Sequence, residues 1–257
     1  MMGKESLHSF HRVNLYEQIA DYMEQLILDT DNKEWSVSAK LPAEQELADS
    51  FGVSRNVVRE AMKLLKERGL VDSQNGVGAY VTKPDSQKLS TMIYRYVLMN
   101  NVDTRSIYDT RILLEVNAAE NAARNASEED LKNMRRLLKK MENRKISINE
   151  RRETDFEIHI AVAQAAGNPL NVVLEYALKD VWRAMIEKGI FIQGGIEDAC
   201  IRHERIMVAL ENHDAEAAGK AMREHLETSL QTVELYNQQD QLDADKKNEE
   251  RKNAIGE

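Results

Sequence analysis

Four side chains able to ligate a metal fall on the apolar sides of three helical segments. Asp155 and His159 stand one turn apart within 149–166, flanked on the helical wheel by Phe156, Val162, Ala163 and Ala166. His203 lies in an arc made by Ile196, Cys200, Ile206, Met207 and Leu210, and His225 is surrounded by Ala218, Ala221, Met222 and Tyr236. A single inward histidine is usually an ordinary hydrogen-bonded core residue. Four inward polar groups on three helices are harder to bury without a shared partner, because each costs free energy unless paired. Three imidazoles and a carboxylate suit a divalent cation, zinc first, with nickel, manganese and iron as alternatives. They also leave coordination positions for water or a ligand carboxylate.

Arg111 and Glu115 are likewise one turn apart, on a face otherwise made of Ile107, Ala118 and Ala122. Such a pair serves equally as a buried ion pair that fixes helix packing or as a binding device. In the second role the Arg111 fork would clamp a ligand carboxylate in two places, with the ligand's other end at the metal. Asn168 is a further candidate to hydrogen-bond that ligand. The lone Cys200 excludes an internal disulfide and reads as a small core residue.

A second constellation lies near the N-terminus. Arg55, Arg59, Lys63 and Lys66 fall on one side of a helix whose other side is Val57, Val58, Ala61, Leu64 and Leu65. Residues 54–68 hold five basic and two acidic groups, a local +3 within a chain of net charge −9. Residues 1–84 as a whole are acidic, with 10 Lys/Arg against 13 Asp/Glu. DNA responds to the local field, so a concentrated stripe is what such a partner requires. In isolation the stripe would be a solvated helix face; its surroundings favour DNA. A short helix, 43–51, stops at Gly52, and Ser54 is placed to cap the next, which gives a helix-turn-helix. Residues 70–73 and 79–81 then alternate like strands around QNGVG, a hairpin able to lie on the minor groove as a wing.

Aromatics at 5% and only three prolines favour a mainly helical protein. Beyond Pro84, helical periodicity covers 86–100, 104–125, 128–143, 149–166, 169–188, 196–212 and 215–237, which predicts an antiparallel bundle. The domain plan is a flexible tail (1–14), a winged helix-turn-helix (15–84), a helical effector-binding domain (85–237) and a charged, disordered tail (238–257). No apolar leader or membrane-spanning stretch is present, so a cytoplasmic protein with no membrane partner is expected.

The run LPAEQELADSFGVSRNVVREAMKLLKERGLV, followed by GVGAYV, resembles the DNA-binding signature of the GntR family of winged-helix repressors. LYEQIADYMEQLIL fits as its first helix. The resemblance implies that Arg55 and Arg59 make the main groove and phosphate contacts, helped by Ser54, Asn56 and Val57, with Gly76 at the wing tip. One departure is Gln45, where many members carry Arg. The segments DTRILLEVNAAENAA, DFEIHIAVAQAAGN and RHERIMVALENHDAEAAGKAMREHL are similar to the FCD effector domain of the FadR subfamily. Spacings of 4, 44 and 22 residues fit its metal-binding branch, which makes Asp155, His159, His203 and His225 the implied ligands. Effectors of that branch are commonly organic or sugar acids.

The expectation is therefore a homodimeric regulator, a repressor before an activator, on a double-stranded DNA operator, controlled by a small carboxylate effector near a divalent metal. Two alternatives use the same residues: a metal-dependent hydrolase or isomerase, or a regulator that senses the metal itself. No additional inward Glu or His is placed as a general base, and an enzyme has no use for a basic reading helix.

Overall fold

The structure is a computed structural model that describes residues 14–74, 78–190 and 195–255. The chain divides between Asp85 and Ser86 into two compact units. In the first, α1 (Leu15–Leu28), α2 (Glu44–Phe51) and α3 (Arg55–Glu67) precede a hairpin of β1 (Val71–Gln74) and β2 (Gly78–Val81). The turn between α2 and α3 works because Gly52 takes a left-handed φ of 65° at no steric cost. Ser54 then caps α3 by accepting from the Val57 amide at 3.4 Å, a bond at the long end of the range. The apolar stripe of α3 (Val58, Ala61, Leu65) is buried in one cluster with Ile19, Ala20 and Met23 of α1. Arg68, just past α3, fastens it to α1 through Asp21 at 2.7 Å and through Glu24.

The hairpin pairs Val71 with Val81 and Ser73 with Ala79. The stretch before α2 lies along its edge: Leu41 N–H donates to Ala79 O and Val81 N–H to Ala39 O, both 2.9 Å.

The second unit is a helical bundle: α4 (Ser86–Met99), α5 (Thr104–Arg111), α6 (Asn117–Asn125), α7 (Glu128–Glu142), α8 (Ile148–Ala165), α9 (Pro169–Ala177), α10 (Lys179–Ile190), α11 (Gly195–Glu211) and α12 (Ala215–Ile255). Reciprocal capping boxes, Ser127 with Asp130 and Ser147 with Glu150, start α7 and α8. Helix α8 is buried around most of its circumference, from Arg151 to Ala165. It carries Asp155 and His159 through the middle of the core. Where α12 crosses α6, a Cβ on Gly219 would come within 2.6 Å of Glu120, so glycine permits the approach.

Three features depart from the sequence expectation. Segment 104–125 is not one α-helix: a π-helical turn, Ile112–Val116, separates α5 from α6. Segment 169–188 breaks at Leu178 (φ −98°, ψ 3°), where the Asp180 amide donates to Ser90 Oγ of α4 at 2.8 Å. The charged C-terminal segment continues α12 to Ile255 instead of forming a disordered tail. Its Glu, Lys, Gln, Ala and Leu residues favour helix, and no Gly or Pro interrupts it before Gly256.

Candidate functional site

The four expected ligands converge. Asp155, His159, His203 and His225 are all buried, and one ring nitrogen of each histidine lies within 4.8 Å of the others. Ring centroids are 5.3 Å apart for His159–His203 and His159–His225, and 4.4 Å for His203–His225. The Asp155 carboxylate is 3.7 Å from both His159 Nε2 and His203 Nε2.

Neighbouring acceptors determine where the imidazole hydrogens sit. His203 Nδ1 is 2.8 Å from the Ala199 carbonyl, which can only accept, so Nδ1 carries the hydrogen and Nε2 a lone pair. His159 Nδ1 is in ion-pair contact with Glu115 Oε2, although its N–H is not well aligned on that oxygen. The carboxylate favours hydrogen on Nδ1 and again leaves Nε2 bare. These two Nε2 atoms face each other at 3.3 Å. Two lone pairs and a carboxylate aimed at one space repel unless a proton or a metal cation stands among them. Tetrahedral ligands about 2.0–2.1 Å from zinc would be roughly 3.3–3.4 Å apart, which matches that spacing. His225 Nδ1 is buried with no hydrogen-bond partner among the described residues, as suits an atom awaiting a ligand role. The cluster can hold a metal ion.

The electrostatics agree. Burial holds the His203 pKa below the usual histidine value and that of His225 well below it, so both offer neutral rings. Burial acts the same way on His159, but the charge and hydrogen bond of Glu115 outweigh it and raise that pKa. Glu115 is itself desolvated, yet Arg111 and then His159 hold its carboxyl below the ordinary range.

Beside the cluster is a pocket enclosing ≈ 580 Å³ of space, part of it open to solvent. Asp155 and His225 line it together with Arg111, Arg151 and Arg202, so two metal-ligand candidates and three arginines share one cavity; Arg151 donates to the Met141 and Asn143 carbonyls and Arg202 to Asp198. Arg111 Nε donates to Glu115 Oε1 at 2.6 Å, and its guanidinium sits 5.5 Å from the ring centroids of both Tyr108 and Trp182. Ser229 and Thr232 add hydroxyls to the wall. Asn168 is not brought here. It is exposed, and its side chain caps α9 by accepting from the Leu170 amide at 3.1 Å. A Gly-Asn-Pro helix start uses the asparagine as a cap, which accounts for its place.

In the N-terminal unit, Ser54, Arg55 and Asn56 are exposed at the start of α3, and Arg59 is half-buried one turn on. Val57 packs against the core instead of standing free. Gly76 lies outside the described residues. Every cation of the stripe has an acidic partner: Arg55 and Arg59 share Glu44 at 3.0 and 3.5 Å, Lys63 meets Glu60, and Lys66 meets Asp72. Gln45 donates to Asp49 at 2.9 Å.

Over 236 residues, 88% of this chain and 90% of the relative, the sequence is 30% identical to the Uxu operon transcriptional regulator of Escherichia coli K12. The chain belongs to the GntR family of bacterial regulatory proteins. Within this GntR regulator, the gntR description matches residues 15–81 and the FCD domain matches 106–228. It is also 30% identical to the Galactonate operon transcriptional repressor of the same organism, over 70% of this chain and 81% of that one. Streptococcus agalactiae GntR shares the fold, with a TM-score of 0.64 at 24% identity over 84% of this chain and 99% of that one. The family is one of transcriptional regulators, not of enzymes, and the buried histidines accord with its metal-binding FCD branch.

Two acidic groups near this regulator's histidines escaped the sequence reading. Glu115 was matched to Arg111 alone, and its second contact, with His159, crosses between segments that no spacing connects. Glu175 of α9 is an additional inward carboxyl: it is 1% exposed, and its Oε2 accepts from Trp182 Nε1 at 2.7 Å. Burial first, and the charge of Glu115 next, push its pKa up to about 7. The sequence pointed the other way: Leu170, Val173 and Leu174 lie on the opposite side of the wheel and read as the buried face, whereas the structure exposes them and buries Glu175.

Proposed function

We propose that this protein is a cytoplasmic, homodimeric transcriptional repressor whose operator affinity is set by a small organic or sugar acid bound beside a divalent metal, zinc first. Asp155, His159, His203 and His225 hold the metal. Arg111, with Arg151 and Arg202, receives the acid's carboxylate, and Asn168 has no part in binding it. Arg55 and Arg59 read the DNA, assisted by Ser54 and Asn56. The observation that carries this reading is the single pocket in which Arg111 meets Asp155 and His225. Guanidinium forks bind carboxylates in two places, and a metal with open positions accepts a second oxygen. The names of the Uxu and galactonate operon relatives support a sugar acid.

Dimerisation is supported by α4, which exposes Leu89, Met92, Tyr96 and Met99 at helical spacing, an apolar stripe suited to an isologous partner. No helix among the described residues is long and apolar enough to cross a membrane. The acid switches DNA affinity only by binding two arrangements of the dimer unequally. Operator binding followed by fluorescence anisotropy, with zinc and candidate sugar acids varied independently, tests the reading. Zinc should be required for the acid's effect without switching DNA affinity by itself. Full switching by zinc alone would make the protein a metal sensor.

A further inference from the structure

Glu115 is buried (3% exposed) and touches both halves of the effector site. Its Oε1 accepts from Arg111 Nε at 2.6 Å, its Oε2 lies 3.4 Å from Arg111 Nη2, and the same Oε2 contacts His159 Nδ1. It sits within the π-helical turn Ile112–Val116, a type of irregularity that concentrates at functional sites. Arg111 is held against it by the Tyr108 and Trp182 rings, and His159 by burial on α8.

We propose that Glu115 is a positioning residue that serves the metal and the acid clamp together. It sets the His159 tautomer so that Nε2 faces the cation, and it fixes the Arg111 fork at the pocket wall. The inference rests on the metal-and-acid reading above. Metal-bound histidines characteristically pass their other ring N–H to a carboxylate or carbonyl, which fixes the ring and strengthens it as a ligand. Here Ala199 O does this for His203, and Glu115 Oε2, in ion-pair contact with His159 Nδ1, is the carboxylate placed to do it for His159. The carboxylate is also the only acidic partner of Arg111 among the described residues, so one group orients both a candidate ligand and the clamp.

The test uses zinc alone on the intact protein, by competition with a chromophoric chelator. Glu115→Gln keeps the size and an acceptor for Arg111 but removes the charge. Zinc affinity should fall about 10–100-fold with the helical circular dichroism retained. An affinity within twofold of wild type overturns the proposal. A second measurement is independent of how the variant folds: long-range ¹H–¹⁵N correlation on the wild-type His159 ring. A hydrogen on Nδ1 in the zinc-free protein, with Nε2 metal-bound after loading, supports it; a bare Nδ1 in the zinc-free protein overturns it. If wild type binds no zinc, the metal reading fails by itself, and the zinc-free tautomer still decides the role of Glu115.

Discussion

Glu175→Gln separates a buried titration from ordinary packing. The carboxyl is enclosed between α9 and Trp182, and its pKa is raised from 4.5 to about 7, with burial the largest cause. Between those values the native protein keeps a proton that the unfolded chain has released, so stability falls as pH rises. The gap of about 2.5 pH, at about 1.36 kcal/mol each, amounts to roughly 3 kcal/mol. Full stability from this group is present below pH 4.5 and is lost by about pH 7. Glutamine retains the acceptor for Trp182 but cannot titrate. Its amide also buries hydrogens beside an Oε1 position with no partner among the described residues, a penalty of about 1–3 kcal/mol at every pH. The informative quantity is therefore the slope of unfolding free energy against pH, measured by urea denaturation with chelator present from pH 4.5 to 8. The variant's curve should be flatter by roughly 3 kcal/mol over that window. Parallel curves for the two proteins would refute the assignment of Glu175 as a neutral acid in the fold.

Other expectations concern the two working surfaces. Arg55→Ala and Arg59→Ala should each weaken operator binding by about 1–3 kcal/mol where the fork makes a bidentate base contact; unchanged anisotropy titrations for both would remove α3 as the reading helix. Gln45→Arg restores the cation common in the family and should steepen the salt dependence of binding by about one phosphate equivalent, measured from 50 to 200 mM salt. His203→Ala should lower zinc content by elemental analysis while non-specific DNA binding persists, because the two units have separate cores. A wild-type zinc stoichiometry in that variant would exclude His203 as a ligand.

What was legible in the sequence depended on how local its cause was. The Gly52 turn and the Ser54 cap follow from neighbouring residues, and each is found where the pattern places it; α1 lies where the family resemblance implies it. The three histidines were legible for the same reason, since each stands at an inward position of its own helix. The break at Leu178 was not, because a hydroxyl 90 residues away, Ser90 Oγ, supplies the acceptor that the Asp180 amide takes. The π-helical turn leaves no mark in the spacing of Ile112 to Val116. Asn168, expected to hydrogen-bond the ligand, caps α9 instead, a local role that its place just before Pro169 allows.

The Glu44 carboxylate between Arg55 and Arg59 has a consequence for how the regulator searches a chromosome. Before any DNA arrives, both guanidinium groups already share the Glu44 carboxylate. An exposed pair of this kind contributes only about 0–1 kcal/mol. A passing phosphate merely exchanges one anion for another and gains little, whereas a guanine edge at the operator offers two aligned acceptors. If Arg55 and Arg59 read the operator, giving up Glu44 lowers the affinity for random and operator DNA by the same small amount and leaves their ratio unchanged. What the carboxylate supplies is order: both candidate reading arginines are held in place before DNA arrives, by a contact that costs little to exchange.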